Sequence, residues 1–161
     1  MGKFYTGIGS RHTPSTIIAT MTSIAKLLSD LGWTLRSGGA SGADTAFQLG
    51  ASAANIYRTG DSTIESMAIA ARFHPAWHHC SSYARQLHGR NTFQVLGLNL
   101  KTPSSFLICW TRDSCISHST RSIQTGGTGT AISIANHYNI PIFNLARPDH
   151  LTRLVNFVRI P

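Results

Sequence analysis

Apolar residues recur along this chain in two alternating rhythms: short runs of strand length, and longer stretches with helical spacing. Residues 3–9 form a first short strand that ends in Gly9-Ser10-Arg11. Over 15–31, Ile17, Met21, Ile24, Leu28 and Leu31 share one face of a 3.6-residue period. Pro14 and Ser15 suit the start of that helix, and Gly32 suits its stop. Residues 33–36 read as a second strand, 43–54 as a helix and 55–58 as a third, short strand. Asp61 or Ser62 caps a helix running to about 71. The aromatic stretch 73–79 has no clean period and reads as an irregular loop, where function concentrates. A helix over 83–100 is closed by Pro103, and 105–110 is the clearest buried strand in the chain. The Ser/Thr-rich segment 111–124 reads as a polar surface excursion of low order. A helix to about 138, a strand over 140–145 and a helix over 148–157 complete the pattern. Strands alternating with helices predict an α/β fold, a Rossmann-like three-layer α/β/α arrangement with a mostly parallel sheet and right-handed crossovers.

Two glycine-rich loops punctuate this pattern, each between a strand and a helix. The first is Ser37-Gly38-Gly39-Ala40-Ser41-Gly42-Ala43-Asp44, the second Thr125-Gly126-Gly127-Thr128-Gly129-Thr130. Glycine permits a tight turn there and lets a phosphate approach the N–H groups at a helix start. In a parallel sheet both loops fall at the carboxyl ends of the strands, where ligands bind. One such loop is as readily a plain turn; the pair points to a phosphorylated, nucleotide-like ligand.

Composition narrows the class. A chain of 161 residues is expected to form one domain over 1–161. No run approaches the roughly 18 apolar residues of a membrane span, and residues 1–9 read as a strand rather than a signal peptide. The formal charge is +8, although only 12% of residues are charged. Scarce acids cause the excess, so the surface attracts phosphate-bearing ligands or nucleic acid. No Lys/Arg run forms a DNA-binding arm. Cys80, Cys109 and Cys115 lack metal-ligand spacing. Cys80 follows His78 and His79, with His74 nearby, and the reading expects no metal there and no cofactor. Three cysteines fit a reducing, cytoplasmic setting.

The motifs Gly7-Ile8-Gly9-Ser10-Arg11, Ser37 to Asp44 and Gly126-Gly127-Thr128-Gly129-Thr130, in that order, resemble the SLOG superfamily over about residues 4–145. That group includes the DNA-processing protein A family, the Lonely Guy phosphoribohydrolases and sensor domains of antiviral defence. His74-Pro75-Ala76-Trp77 and Leu87-His88-Gly89-Arg90-Asn91 give this chain the look of small phage-encoded members. The resemblance implies that Gly9, Ser10 and Arg11 line the ligand site with Ser37, Gly38, Gly39 and Gly42. Asp44 would cap its helix or accept from a ribose hydroxyl. Gly126, Gly127, Thr128, Gly129 and Thr130 would hold a phosphate, with Arg90 as a bidentate partner and Asn91 beside it. Arg85 would contribute from the same helix, with His88 in support. Trp110 would be either core or the floor of the pocket, and Trp77 either a lid or a packed loop residue.

The phosphoribohydrolases carry acidic residues just after the second glycine loop, and one assists glycosidic cleavage. Here 131–135 contain none. Asp44 and Glu65 are the acids placed nearest the site, and no catalytic residue is assigned. The leading expectation is therefore a binder of a phosphorylated, nucleotide-derived small molecule without turnover, such as a phage protein sequestering a cyclic ADP-ribose isomer. The alternatives are a nucleoside 5′-monophosphate phosphoribohydrolase and a recombination mediator binding single-stranded DNA. The resemblance also implies a homo-oligomer.

Overall fold

The computed structural model describes residues 2–160. Five strands form one sheet: β1 (Phe4–Gly7), β2 (Thr34–Ser37), β3 (Ala54–Ile56), β4 (Leu107–Cys109) and β5 (Ile142–Asn144). The order is β3-β2-β1-β4-β5. Every pairing is parallel, so the mostly parallel sheet is in fact wholly parallel among the described residues. Six helices flank it: α1 (Ser15–Asp30), α2 (Ala43–Gly50), α3 (Ile64–Phe73), α4 (Ser82–Leu96), α5 (Thr128–His137) and α6 (His150–Arg159). The three-layer α/β/α fold is as the hydrophobic pattern predicts.

Successive side chains of a strand point to opposite faces, and the two cores divide accordingly. Ile108 joins Tyr5, Leu35 and Phe143 under Leu28 of α1, Phe47 of α2 and Leu154 of α6. Its neighbours Leu107 and Cys109 turn the other way, against Val95 of α4 and Ile132 of α5. Both faces of the sheet are thereby covered, as an all-parallel sheet requires.

Element ends differ from the periodicity where tertiary contacts intervene. The second helix stops at Gly50, not 54, because Gly50 lies against the backbone of α1 and Ala54 is already paired with Leu35 in the sheet. Thr63, rather than Asp61 or Ser62, starts α3, its Oγ1 accepting from Ser66 N–H at 3.1 Å while Ser66 Oγ accepts from Thr63 N–H at 2.9 Å. The fourth helix ends at Leu96, where Gly97 takes a positive φ, and the last spans 150–159 rather than 148–157.

Segment 111–124 is corrected more deeply. It lies at the surface as expected, with Arg112, His118, Ser119, Thr120, Ser122 and Gln124 exposed, but hydrogen bonds from its polar groups order it. Asn144, at the end of β5, donates from Nδ2 to Thr111 Oγ1 (2.7 Å) and to the carbonyl of Cys115 (2.8 Å). Cys115 N–H in turn donates to Thr111 Oγ1 at 3.1 Å. The segment is a braced loop beside the second glycine turn.

Candidate functional site

The chain reverses its direction of sheet growth between β1 and β4, which opens a crevice beyond their carboxyl ends. A cavity of about 680 Å³ occupies it, a size suited to a small-molecule ligand. The turn after β1 contributes Gly9, Ser10, Arg11 and His12, and the turn after β4 contributes Arg112. Ser10 shapes its turn by accepting from Thr13 N–H with its carbonyl (3.2 Å) and from His12 N–H with Oγ (3.0 Å). Arg11 and Arg112 are both exposed, and the only ion pair among the described residues is Arg153–Asp149, so neither arginine is neutralised by an acid.

The first glycine loop is held from below. Asp44, in the first turn of α2, accepts with Oδ2 from Gly38 N–H (3.2 Å) and Ala40 N–H (3.3 Å). Arg90 of α4 donates from Nη1 to the carbonyls of Gly38 (2.7 Å) and Tyr57 (3.3 Å). Gln94, its amide oxygen facing them, accepts from Gly38 N–H at 3.0 Å and Arg90 Nε at 3.3 Å. Gly42 has φ +88°, and a Cβ there would stand 2.9 Å from the Ser10 carbonyl. Only glycine lets the two loops meet this closely.

These contacts rearrange the expected roles. Arg90 is buried and spent on loop carbonyls, leaving it outside the cavity wall. Ser37, Gly38, Gly39 and Gly42 build the loop, but Ala40 and Asp44 are the parts that reach the cavity. Ser37 Oγ is turned back to the Gly7 carbonyl at 2.6 Å, and Gly39 faces Arg58. Asp44 is 4% exposed. Burial pushes its carboxyl up to about 6, while the Arg90 charge and backbone N–H groups of Ala40, Gly38 and Gly9 pull the other way.

The second glycine loop is held from its side. Asp113 Oδ2 accepts from Ser122 Oγ at 2.6 Å and from Thr125 Oγ1. Burial alone would raise its carboxyl, but the bonds from Ser122, Thr125, Thr111 and the Cys115 backbone hold it below the ordinary value. Asn91 Nδ2 donates to the Gly127 carbonyl at 3.0 Å. Gly126, Gly127, Thr128 and Asn91 line the cavity. Gly129 and Thr130 do not, because Arg121 packs under them: its guanidinium meets Gly129 and donates to Thr130 Oγ1 at 3.1 Å. Thr130 Oγ1 also lies 3.0 Å from His88 Nδ1. Burial, with His74, Arg121 and Arg90 nearby, lowers His88 to about 4, so it is neutral at pH 7.

No tryptophan reaches this cavity. Trp110 packs against the core around Ile108, and its apolar wall is aliphatic: Ile8, Leu87 and Ile123. Arg85 is likewise withdrawn, donating to the Trp77 carbonyl at 3.3 Å with its guanidinium over the Trp77 ring. Glu65 is exposed on α3 and Asp44 is the one acid lining the cavity. Sequence reasoning missed Arg112, Gln94, Asp113 and Arg121. A usable signal existed for Arg112: it follows β4 at nearly the offset at which Arg11 follows β1.

Comparison of the chain with protein-family models, with curated proteins and with solved structures finds no match.

Proposed function

We propose that this chain binds a phosphorylated, nucleotide-derived small molecule in the cavity at the switch point of its sheet. One observation carries the reading: two arginines without acidic partners, Arg11 and Arg112, enter the same cavity as the exposed glycines that open α5. Guanidinium groups and N–H groups at a helix start are complementary to phosphate oxygens. The aliphatic wall of Ile8, Leu87 and Ile123 offers an apolar face to a base or ribose. The SLOG-like order of the glycine motifs supports the same reading. With Asp44 as its sole lining acid, already bonded to the first loop, the site favours holding a ligand over cleaving it. A binder of this kind withdraws a nucleotide signal from solution, which is the sequestration reading in physical terms.

The test is capture followed by identification. Excess protein is incubated with AMP, ADP-ribose, cyclic ADP-ribose isomers, cyclic dinucleotides and a short single-stranded oligonucleotide; bound material is separated, released by denaturation and weighed by mass spectrometry. An intact nucleotide supports the proposal, and retention of none of the small molecules refutes it.

A second reading, N-glycosidic hydrolysis of a nucleoside monophosphate, is favoured by one feature. A carboxyl raised to about 6 inside the cavity is partly protonated near neutral pH, as a proton donor to a departing base must be. Free base and ribose phosphate in the capture assay, abolished in Asp44→Asn, identify that reaction.

A further inference from the structure

A second cavity of about 660 Å³ lies across segment 123–127 from the first, with His74, His88, His118 and Arg121 in its wall. At this wall three side chains converge from separate places in the chain. His74 directly follows α3, Cys80 follows a 3₁₀ turn at Trp77–His79, and His88 projects from α4. Each offers one ligand atom, and these atoms all lie within 4.8 Å of one another. Cys80 Sγ is 3.7 Å from His74 Nε2 and 3.8 Å from His74 Nδ1, so the sulfur stands between the two ring nitrogens and a turn of the His74 ring aims Nε2 at an ion held by it. A tetrahedral zinc ion with ordinary Zn–S and Zn–N bonds separates such atoms by about 3.6 Å. The rings of His74 and His88 stand 4.4 Å apart, centroid to centroid.

The linear sequence groups Cys80 with His78 and His79, but those two rings are exposed and lie against each other. The ligand partner is instead His88, brought in by the docking of α4 beside α3.

We propose that His74, Cys80 and His88 form a zinc-binding site with a fourth coordination position open to this second cavity. His74 and His88 line the cavity and Cys80 does not, so the thiolate closes the back of the site. Two imidazoles and a thiolate suit zinc far better than magnesium or calcium. Three protein ligands with one open position let zinc exchange water for an oxygen of a bound molecule. The surroundings orient the ligands. His88 Nδ1 is bonded to Thr130 Oγ1, which leaves Nε2 for the ion, and a hydrogen bond at the other ring nitrogen is the usual support of a metal-binding histidine. His74 Nδ1 accepts from Ala76 N–H at 3.1 Å. Ligation through Nε2 moves the ring proton to Nδ1 and releases that amide. Cys80 gives up its thiol proton to solvent, so one proton leaves for each ion bound. The Arg121 guanidinium is tied to the Phe73 carbonyl (2.8 Å) and Ser133 Oγ (3.3 Å) as well as Thr130, and the thiolate charge offsets its repulsion of the ion.

The experiment titrates tag-free protein with cobalt(II) and then displaces it with zinc. A thiolate-to-cobalt charge-transfer band, visible bands of tetrahedral intensity, one-to-one displacement by zinc and release of about one proton per ion are expected. Cys80→Ser removes the charge-transfer band and weakens zinc binding about tenfold or more, and His88→Gln also weakens it. His78→Ala/His79→Ala leaves band and affinity intact. Cys80 lies outside both hydrophobic cores, so Cys80→Ser carries the test even if His88→Gln fails to fold. Absence of the charge-transfer band in the wild type, or wild-type zinc affinity in Cys80→Ser, overturns the site. So does loss of binding in the His78/His79 variant alone, which places the ion on the exposed pair.

Discussion

Asp44 and Arg90 hold Gly38 from opposite sides: its N–H is donated to Asp44 Oδ2 at 3.2 Å, and its carbonyl accepts from Arg90 Nη1 at 2.7 Å. The first glycine loop is thus set between two buried side chains of opposite charge, one on α2 and one on α4. Neither alone satisfies the loop, and each compensates the other's burial.

Loss of Arg90 is therefore expected to destabilise the fold rather than merely weaken ligand binding. Arg90→Gln leaves the Gly38 and Tyr57 carbonyls without their donor and removes the positive charge near Asp44, at a cost of roughly 1–3 kcal/mol by urea denaturation. Arg90→Lys rescues little, since an ammonium cannot reproduce the planar fork that meets both the Gly38 and Tyr57 carbonyls. Stability equal to wild type in either variant removes the clamp.

Stability should depend on pH through Asp44. Its carboxyl binds a proton more tightly in the folded chain, about 6 against an ordinary 3.8. The folded state is therefore favoured below the ordinary value, and that advantage is lost as pH rises through 6. The full effect is up to about 3 kcal/mol. Relative to Asp44→Asn, wild-type stability falls between pH 4 and 7 and then runs parallel. Urea unfolding at a series of pH values measures this difference, and curves parallel throughout contradict it.

Asp113 shapes the second loop from outside the cavity. Asp113→Asn removes one of the two acceptor oxygens that hold Ser122, Thr125 and the Cys115 N–H. Amides of 122–127 are expected to exchange hydrogen faster, with nucleotide affinity reduced about fivefold, the worth of roughly one hydrogen bond. Unchanged exchange across that segment refutes the brace.

Much of this arrangement is legible in the sequence. The buried run Phe106-Leu107-Ile108-Cys109 and the helical stripe Met21-Ile24-Leu28 announce their elements, and both glycine loops fall where ligand loops of a parallel sheet belong. Fine placement was hidden for a physical reason. Helix α4 buries Arg90, Asn91, Thr92 and Gln94 because Arg90, Asn91 and Gln94 bond to loops and Thr92 bonds to the Ser66 carbonyl of α3. Apolar periodicity therefore says nothing about which way Arg90 points. Segment 111–124 misled in the same way: the hydroxyls of Thr111, which is buried, and of Ser122, which stays exposed, make the bonds that order it. The His74–Cys80–His88 convergence depends on how two helices dock, which local spacing does not encode.

The most direct measurement is calorimetric titration of AMP, ADP-ribose and cyclic ADP-ribose into wild-type protein and into Arg11→Gln/Arg112→Gln. Both side chains are exposed, so the double variant should fold as the wild type does. The account predicts saturable binding of at least one nucleotide by the wild type, weakened about a hundredfold or more in the double variant as two charge-assisted phosphate contacts are lost. No binding by the wild type, or equal affinity in both proteins, contradicts a phosphate site at the switch point of the sheet.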